Sequence, residues 1–115
     1  IVWLDGKVYG KPRDIADAKA MLQALSGKTH TVITGVTLTS LQKQISFAVS
    51  TEVTFAALGD DEIDYYVETC RPLDKAGAYG VQEWIGYIGV TGLKGSYYNV
   101  MGLPIQRLYT ELKKF

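Results

Sequence analysis

The strongest periodicity in the chain lies at residues 45–55, where Ile45, Phe47, Val49, Thr51, Val53 and Phe55 alternate with Ser46, Ala48, Ser50, Glu52 and Thr54. A two-residue repeat sends successive side chains to opposite faces, so this stretch predicts a β-strand with one core face and one polar or small face. Thr29–Thr39 predicts another strand, and the Leu41-Gln42-Lys43-Gln44 link between the two predicts a long antiparallel hairpin. Elsewhere the repeat becomes helical. From Asp14 onward, Ile15, Ala18, Leu22 and Leu25 share one face, with Asp14 as the N-cap and Gly27 as the stop. Residues 60–69 predict a second helix with Ile63, Tyr66 and Val67 turned inward, and Pro72 bars its continuation.

Asp5-Gly6, between the apolar residues 1–4 and residues 7–9, predicts a tight hairpin turn. Residues 84–90 and Tyr97–Met101 predict a further pair of strands around a turn at residues 91–96. Pro104 suits the first turn of a final helix, in which Ile105, Leu108, Leu112 and Phe115 recur at helical spacing. Strand pairs alternating with single helices predict one α/β domain over residues 1–115, with a mixed sheet and helices packed against it.

Composition narrows the possible partners. The 115 residues suffice for one real core, with 47% of them hydrophobic. Twelve basic residues balance twelve acidic ones, so no broad positive field exists to hold a nucleic-acid backbone, and a small phosphorylated ligand met by local charge suits the chain better. His30 and Cys70 are each single, which leaves too few ligands for a zinc site of those types and excludes a disulfide within the chain. No apolar run reaches the roughly 20 residues a membrane helix needs. A cytoplasmic setting, with no membrane and no nucleic-acid partner, is the expectation.

Candidate chemistry gathers in Pro72-Leu73-Asp74-Lys75-Ala76-Gly77-Ala78-Tyr79-Gly80-Val81-Gln82. Gly77 and Gly80 permit close backbone approach, Lys75 is a point charge suited to phosphate, and the Gln82 amide both donates and accepts hydrogen bonds. Asp74 is a poor ion-pair partner for its neighbour Lys75 and reads better as a cap of a short turn at residues 75–77. Lys11, between Gly10 and Pro12, reads on composition alone as a solvated loop lysine. Ser26-Gly27-Lys28-Thr29 looks like the end of a phosphate-binding P-loop. It fails as one because its first glycine would fall at Leu22 and because it leads from helix to strand, the reverse of that motif. Glu52 reads as a solvated strand residue and Asn99 as a local structural one. The tryptophans and tyrosines lack a basic setting and are assigned to core and subunit contacts, with a homodimer as the expected assembly.

Gly10-Lys11-Pro12, the Asp74-to-Gln82 segment and Tyr98-Asn99-Val100-Met101-Gly102-Leu103-Pro104 occur in this order with Asp5-Gly6, Leu25-Ser26-Gly27-Lys28-Thr29-His30 and Thr51-Glu52-Val53-Thr54-Phe55. In this ordered set the chain resembles the Maf family of nucleoside triphosphate pyrophosphatases, from its first residue to its last. The Asp-Lys-Ala-Gly-Ala-Tyr-Gly form with Gln82 is similar to the branch acting on dTTP and UTP. The resemblance implies a three-layer α/β fold like that of inosine triphosphate pyrophosphatases. It also implies hydrolysis of dTTP, UTP and related modified pyrimidine nucleotides to the monophosphate and pyrophosphate, assisted by a divalent cation, Mg²⁺ or Mn²⁺, with ligands unassigned. It places Lys11 and Lys75 as catalytic cations on the triphosphate, and Asp74, Gly77, Gly80 and Gln82 as substrate-binding residues. Members of the family carry a Ser-x-x-Arg loop and an Ala-Asp-Thr triplet ahead of the strand matched by Ile1-Val2-Trp3-Leu4. The expectation is therefore a C-terminal portion of a longer enzyme, inactive alone, whose general base is the Asp of that triplet upstream of Ile1. The family name's link to septum formation implies a connection with cell division. A non-catalytic nucleotide-binding or division-associated interaction module is the alternative, and an RNA-binding domain is disfavoured by the neutral charge.

Overall fold

The computed structural model describes residues 1–115. Strands β1 (Val2–Leu4) and β2 (Lys7–Tyr9) are joined by the predicted tight turn, with Asp5 and Gly6 both at positive φ. Helix α1 (Ile15–Leu25) follows, its Asp14 side chain accepting from the Asp17 N–H at 2.8 Å as an N-cap should. Strands β3 (Thr29–Thr39) and β4 (Gln44–Phe55) form the long hairpin, paired from Thr29–Thr54 at one end to Thr39–Gln44 at the other. Helix α2 (Asp60–Cys70), a single 3₁₀ turn (Ala76–Ala78), α3 (Trp84–Gly89), β5 (Val90–Lys94), α4 (Tyr97–Met101) and α5 (Ile105–Lys114) complete the order.

The sheet runs β2-β1-β3-β4-β5 and all its pairings are antiparallel. Its core face carries Val2, Leu4, Val32, Val53 and Phe55, onto which Leu22, Leu25, Ile63, Tyr66, Val67 and Ile85 pack with 1% exposure or less. Each such aliphatic side chain contributes about 1.5–3 kcal/mol by leaving water. The inward positions expected of α1 and α2 are thus the ones buried, apart from a half-buried Ile15. The opposite face, with Trp3, Ser50 and Glu52, is exposed, so these residues supply the sheet and one helical layer of the expected architecture.

Two expectations fail between residues 84 and 101. Residues 84–89 and 97–101 are not strands: they form helices α3 and α4, and the strand β5, which begins at Val90, falls largely on the predicted turn. Aromatic and β-branched residues bias both segments toward strand, but tertiary contacts outweigh a preference worth about 1 kcal/mol at most. Gly86 lies so close to the Val81 carbonyl that a Cβ would collide with it, and this contact seats Ile85 in the core. Ser96 caps α4 by accepting from the Asn99 N–H at 3.1 Å. Helix α5 forms where expected, yet none of its residues is buried; Leu108 and Phe115 are half-covered, while Ile105 and Leu112 are exposed. It touches the outer part of the hairpin, where the Arg107 guanidinium lies 4.9 Å from the centre of the Phe47 ring. No helix is long and apolar enough to cross a membrane.

Candidate active site

The 3₁₀ turn and its flanks are held from behind by the sheet. Gly77 has φ 73°, and a Cβ there would meet Val2 Cγ2 at 3.0 Å, so both conformation and space require glycine. Its N–H donates to the Gly10 carbonyl at 3.1 Å, which ties the Gly10-Lys11-Pro12 loop to the Asp74–Gln82 segment. Ala78 also takes positive φ, a strained choice for a residue with a side chain, held by complete burial.

In front of this turn lies a cavity of about 230 Å³ between the 3₁₀ segment, strands β1 and β3, and helix α4. Asp74, Lys75, Gly80 and Gln82 line it. Lys11 and Gly77 do not: Gly77 is buried against Val2, and Lys11 is exposed on the neighbouring loop, where its charge acts on Asp74. Asp74 is not the cap expected of it, since no side chain caps the 3₁₀ turn. Its carboxylate instead accepts from the Lys75 ammonium at 3.3 and 3.5 Å, the neighbour pair that sequence reasoning discounted. Asp74's own backbone N–H, and then Lys75, hold its carboxyl below the usual carboxylate range. Lys75 also lies 3.9 Å from Glu83 Oε1. The Gln82 carbonyl accepts from Tyr87 Oη at 2.9 Å, which fixes the main chain beneath an exposed side chain.

Two buried arrangements support the cavity. Tyr79, one of its walls, shares a 2.7 Å hydrogen bond with His30 Nε2, and these two rings pack edge-to-face with each other and with Phe55. Burial lowers the His30 pKa to about 4 and raises that of the Tyr79 hydroxyl, so both are neutral at neutral pH. Asn99, also a wall, is fully buried, and its Nδ2 donates to Val32 O, Val49 O and Thr51 Oγ1 at 3.2, 3.0 and 2.9 Å. The local role expected of Asn99 is therefore a long-range one that clamps α4 across β3 and β4.

Nowhere do three His, Cys, Asp or Glu side chains converge in a way that could hold a metal ion. The carboxylates nearest the cavity, Asp74 and Glu83, are engaged by Lys75 and Tyr66. These residues do not make a metal site by themselves.

A family model described as Maf-like protein matches residues 1–115. The chain belongs to the Maf family. Among its curated Maf relatives, the dTTP/UTP pyrophosphatase of Phocaeicola vulgatus is 68% identical over 114 residues, covering 99% of this chain and 59% of the relative. The protein of the same name from Bacteroides thetaiotaomicron is 61% identical over the same coverage, and that of Bacillus cytotoxicus is 56% identical over 115 residues, or 60% of its length. The chain spans about three fifths of the length of these relatives.

The cavity is walled by the loop that carries Asp74, Lys75, Gly80 and Gln82. Sequence reasoning gave no role at the site to Tyr66 or Glu83, which stand behind that loop: the Tyr66 hydroxyl donates to Glu83 Oε1 at 2.7 Å and accepts the Gly80 N–H at 3.1 Å. Tyr66 was legible as an inward position of a helix, but its bonds to the loop beyond that helix were not.

Proposed function

We propose that this Maf chain serves a nucleotide pyrophosphatase that cleaves dTTP and UTP between the α- and β-phosphates, releasing the monophosphate and pyrophosphate. One observation carries the reading. A phosphate-type cation, Lys75, and a pyrimidine-type amide, Gln82, line one cavity in a chain 68% identical to a protein named dTTP/UTP pyrophosphatase. A cavity of about 230 Å³ is below the roughly 300 Å³ at which ligand pockets usually begin, so it takes part of the nucleotide and leaves the rest outside.

In this reading Gln82 meets the base edge, and Lys75 offsets the charge that grows on the leaving pyrophosphate as the P–O bond breaks. Lys11 approaches the same phosphates from the loop tied to Gly77. The attacking water needs a carboxylate base, a role assigned in this reading to the Asp of an Ala-Asp-Thr triplet, which these 115 residues do not contain. Mg²⁺ or Mn²⁺, brought in with the nucleotide, would supply further compensation of the phosphate charge. An enzyme that accepts both dTTP and UTP tolerates change at C5 of the base, which brings modified pyrimidine nucleotides within reach.

The test is pyrophosphate release from dTTP and UTP by the protein at its relatives' length. Lys75→Ala and Lys11→Ala are each expected to lower kcat about 10²–10³-fold, the usual loss of one preorganised charge-stabilising contact. Gln82→Ala is expected to change the ratio of pyrimidine to purine turnover. Nucleotide binding without pyrophosphate release from the unaltered protein overturns the hydrolase and leaves a binding module.

A further inference from the structure

Tyr66 is wholly buried in α2 and does not line the cavity, yet its hydroxyl is engaged twice at the cavity's edge. It donates to Glu83 Oε1 at 2.7 Å and accepts the Gly80 N–H at 3.1 Å. A phenylalanine would fill the same space without a polar atom to satisfy, so the hydroxyl is accounted for by what it holds. Glu83 Oε1 in turn lies 3.9 Å from Lys75 Nζ, whose other carboxylate neighbour is Asp74 Oδ1 at 3.3 Å. Gly80 completes the packing. A Cβ on it would stand 2.5 Å from Glu83 Oε1 and 2.9 Å from Lys75 Cε, so the lysine stem and the glutamate both rest against its bare backbone.

A lysine is a point charge on a flexible stem, and its placement has to be imposed from outside. Asp74, exposed and adjacent in sequence, moves with Lys75 and cannot fix it alone. We propose that Tyr66 is a positioning residue for this site: its hydroxyl fixes the Glu83 carboxylate and the Gly80 amide, and these set where the Lys75 ammonium meets the outer phosphates of a nucleoside triphosphate. The inference rests on the nucleotide reading above and adds to it the residue that orients the cation. Tyr66, wholly buried and outside the cavity lining, acts through Lys75.

The test is a double-mutant cycle read by calorimetric titration of the protein at its relatives' length, with α,β-methylene-UTP and UMP as probes. Tyr66→Phe is expected to weaken the triphosphate analogue about 10-fold and to leave UMP within about twofold, because only the outer phosphates meet Lys75. In a Lys75→Ala background, Tyr66→Phe is expected to change neither ligand. Gly80→Ala, whose Cβ displaces the Glu83 carboxylate and the Lys75 stem while leaving Tyr66 unaltered, should give the same signature, and it serves if Tyr66→Phe folds poorly. Equal losses for both probes, or an equal loss with and without Lys75, overturn the positioning role and assign Tyr66 to stability alone. An unaltered protein that holds UMP and the analogue equally well overturns the nucleotide reading itself, and the inference with it; the two failures are told apart by the protein in which they appear.

Discussion

The two ends of the β3–β4 hairpin carry one alternation of apolar and polar residues but differ in burial. At the end nearest α1 and α2, Val53 and Phe55 are 0% and 2% exposed; at the far end Ile45, Phe47 and Val49 occupy the same face and are only half-buried. Helices and the 3₁₀ turn cover the first end, α4 reaches the middle through Asn99, and α5 lies loosely over the rest. The cavity sits at the boundary, where Val32 belongs to the core and Thr34, the next residue on that face, opens onto Gln82 and Asn99. A repeat of two thus sets which face of a strand turns inward, and the neighbouring elements set how deeply. A site opens in this fold where helical cover runs out over a continuous apolar face.

The contrast is broken most severely by truncating the same residue type at each end. Phe55→Ala is expected to cost about 3–5 kcal/mol in urea denaturation. Phe47→Ala, which gives up a half-buried ring and its contact with Arg107, should cost under about 2 kcal/mol. Equal costs would show that the outer half is as tightly sealed as the inner. The sealed end also has a pH signature. His30 titrates at about 4 in the folded chain against 6.5 ordinarily, so the unfolded chain takes up the proton first as pH falls. Stability from this residue is complete above about pH 6.5 and declines by about 3 kcal/mol by pH 4, at 1.36 kcal/mol per pKa unit. Denaturation at pH 7.5 and 4.5 should show that difference shrinking in His30→Gln.

At the boundary, Asn99→Ala strips the Val32 and Val49 carbonyls of their shared donor, an expected loss of about 2 kcal/mol, with faster amide exchange in α4 as the local readout. At the tip of the arm, Leu41 is fully exposed, and Leu41→Ser should stay within about 0.5 kcal/mol of the parent.

Much of the site was legible because its residues are neighbours in sequence. Asp74, Lys75, Gly80 and Gln82 meet the cavity from one loop, whose lysine, glycines and amide announce themselves. Lys11 was legible as a candidate, but its place outside the cavity wall was not, since that depends on a backbone hydrogen bond between Gly10 and Gly77. Tyr66, Glu83 and Asn99 were not legible in their roles, because each acts through contacts between different elements of the fold. The helices α3 and α4 were misread for a related reason. Ser96 and Gly102 bracket α4 as a cap and a stop, but the aromatic and β-branched residues between them carry the opposite local preference.

The sequence by itself determined the hairpin, the two long amphipathic helices, the turn at Asp5-Gly6 and the chemical character of the Asp74–Gln82 loop. These follow from short-range physics, in which periodicity, capping and backbone freedom act within a few residues. The tertiary structure alone decided the conformation of residues 84–101, the depth of burial along β3 and β4, and the meeting of Tyr66 with Glu83 and Gly80 behind the loop. Each of these depends on which surfaces meet across the sheet, and burial and hydrogen bonding between distant segments there outweigh local preferences worth a fraction of their energy.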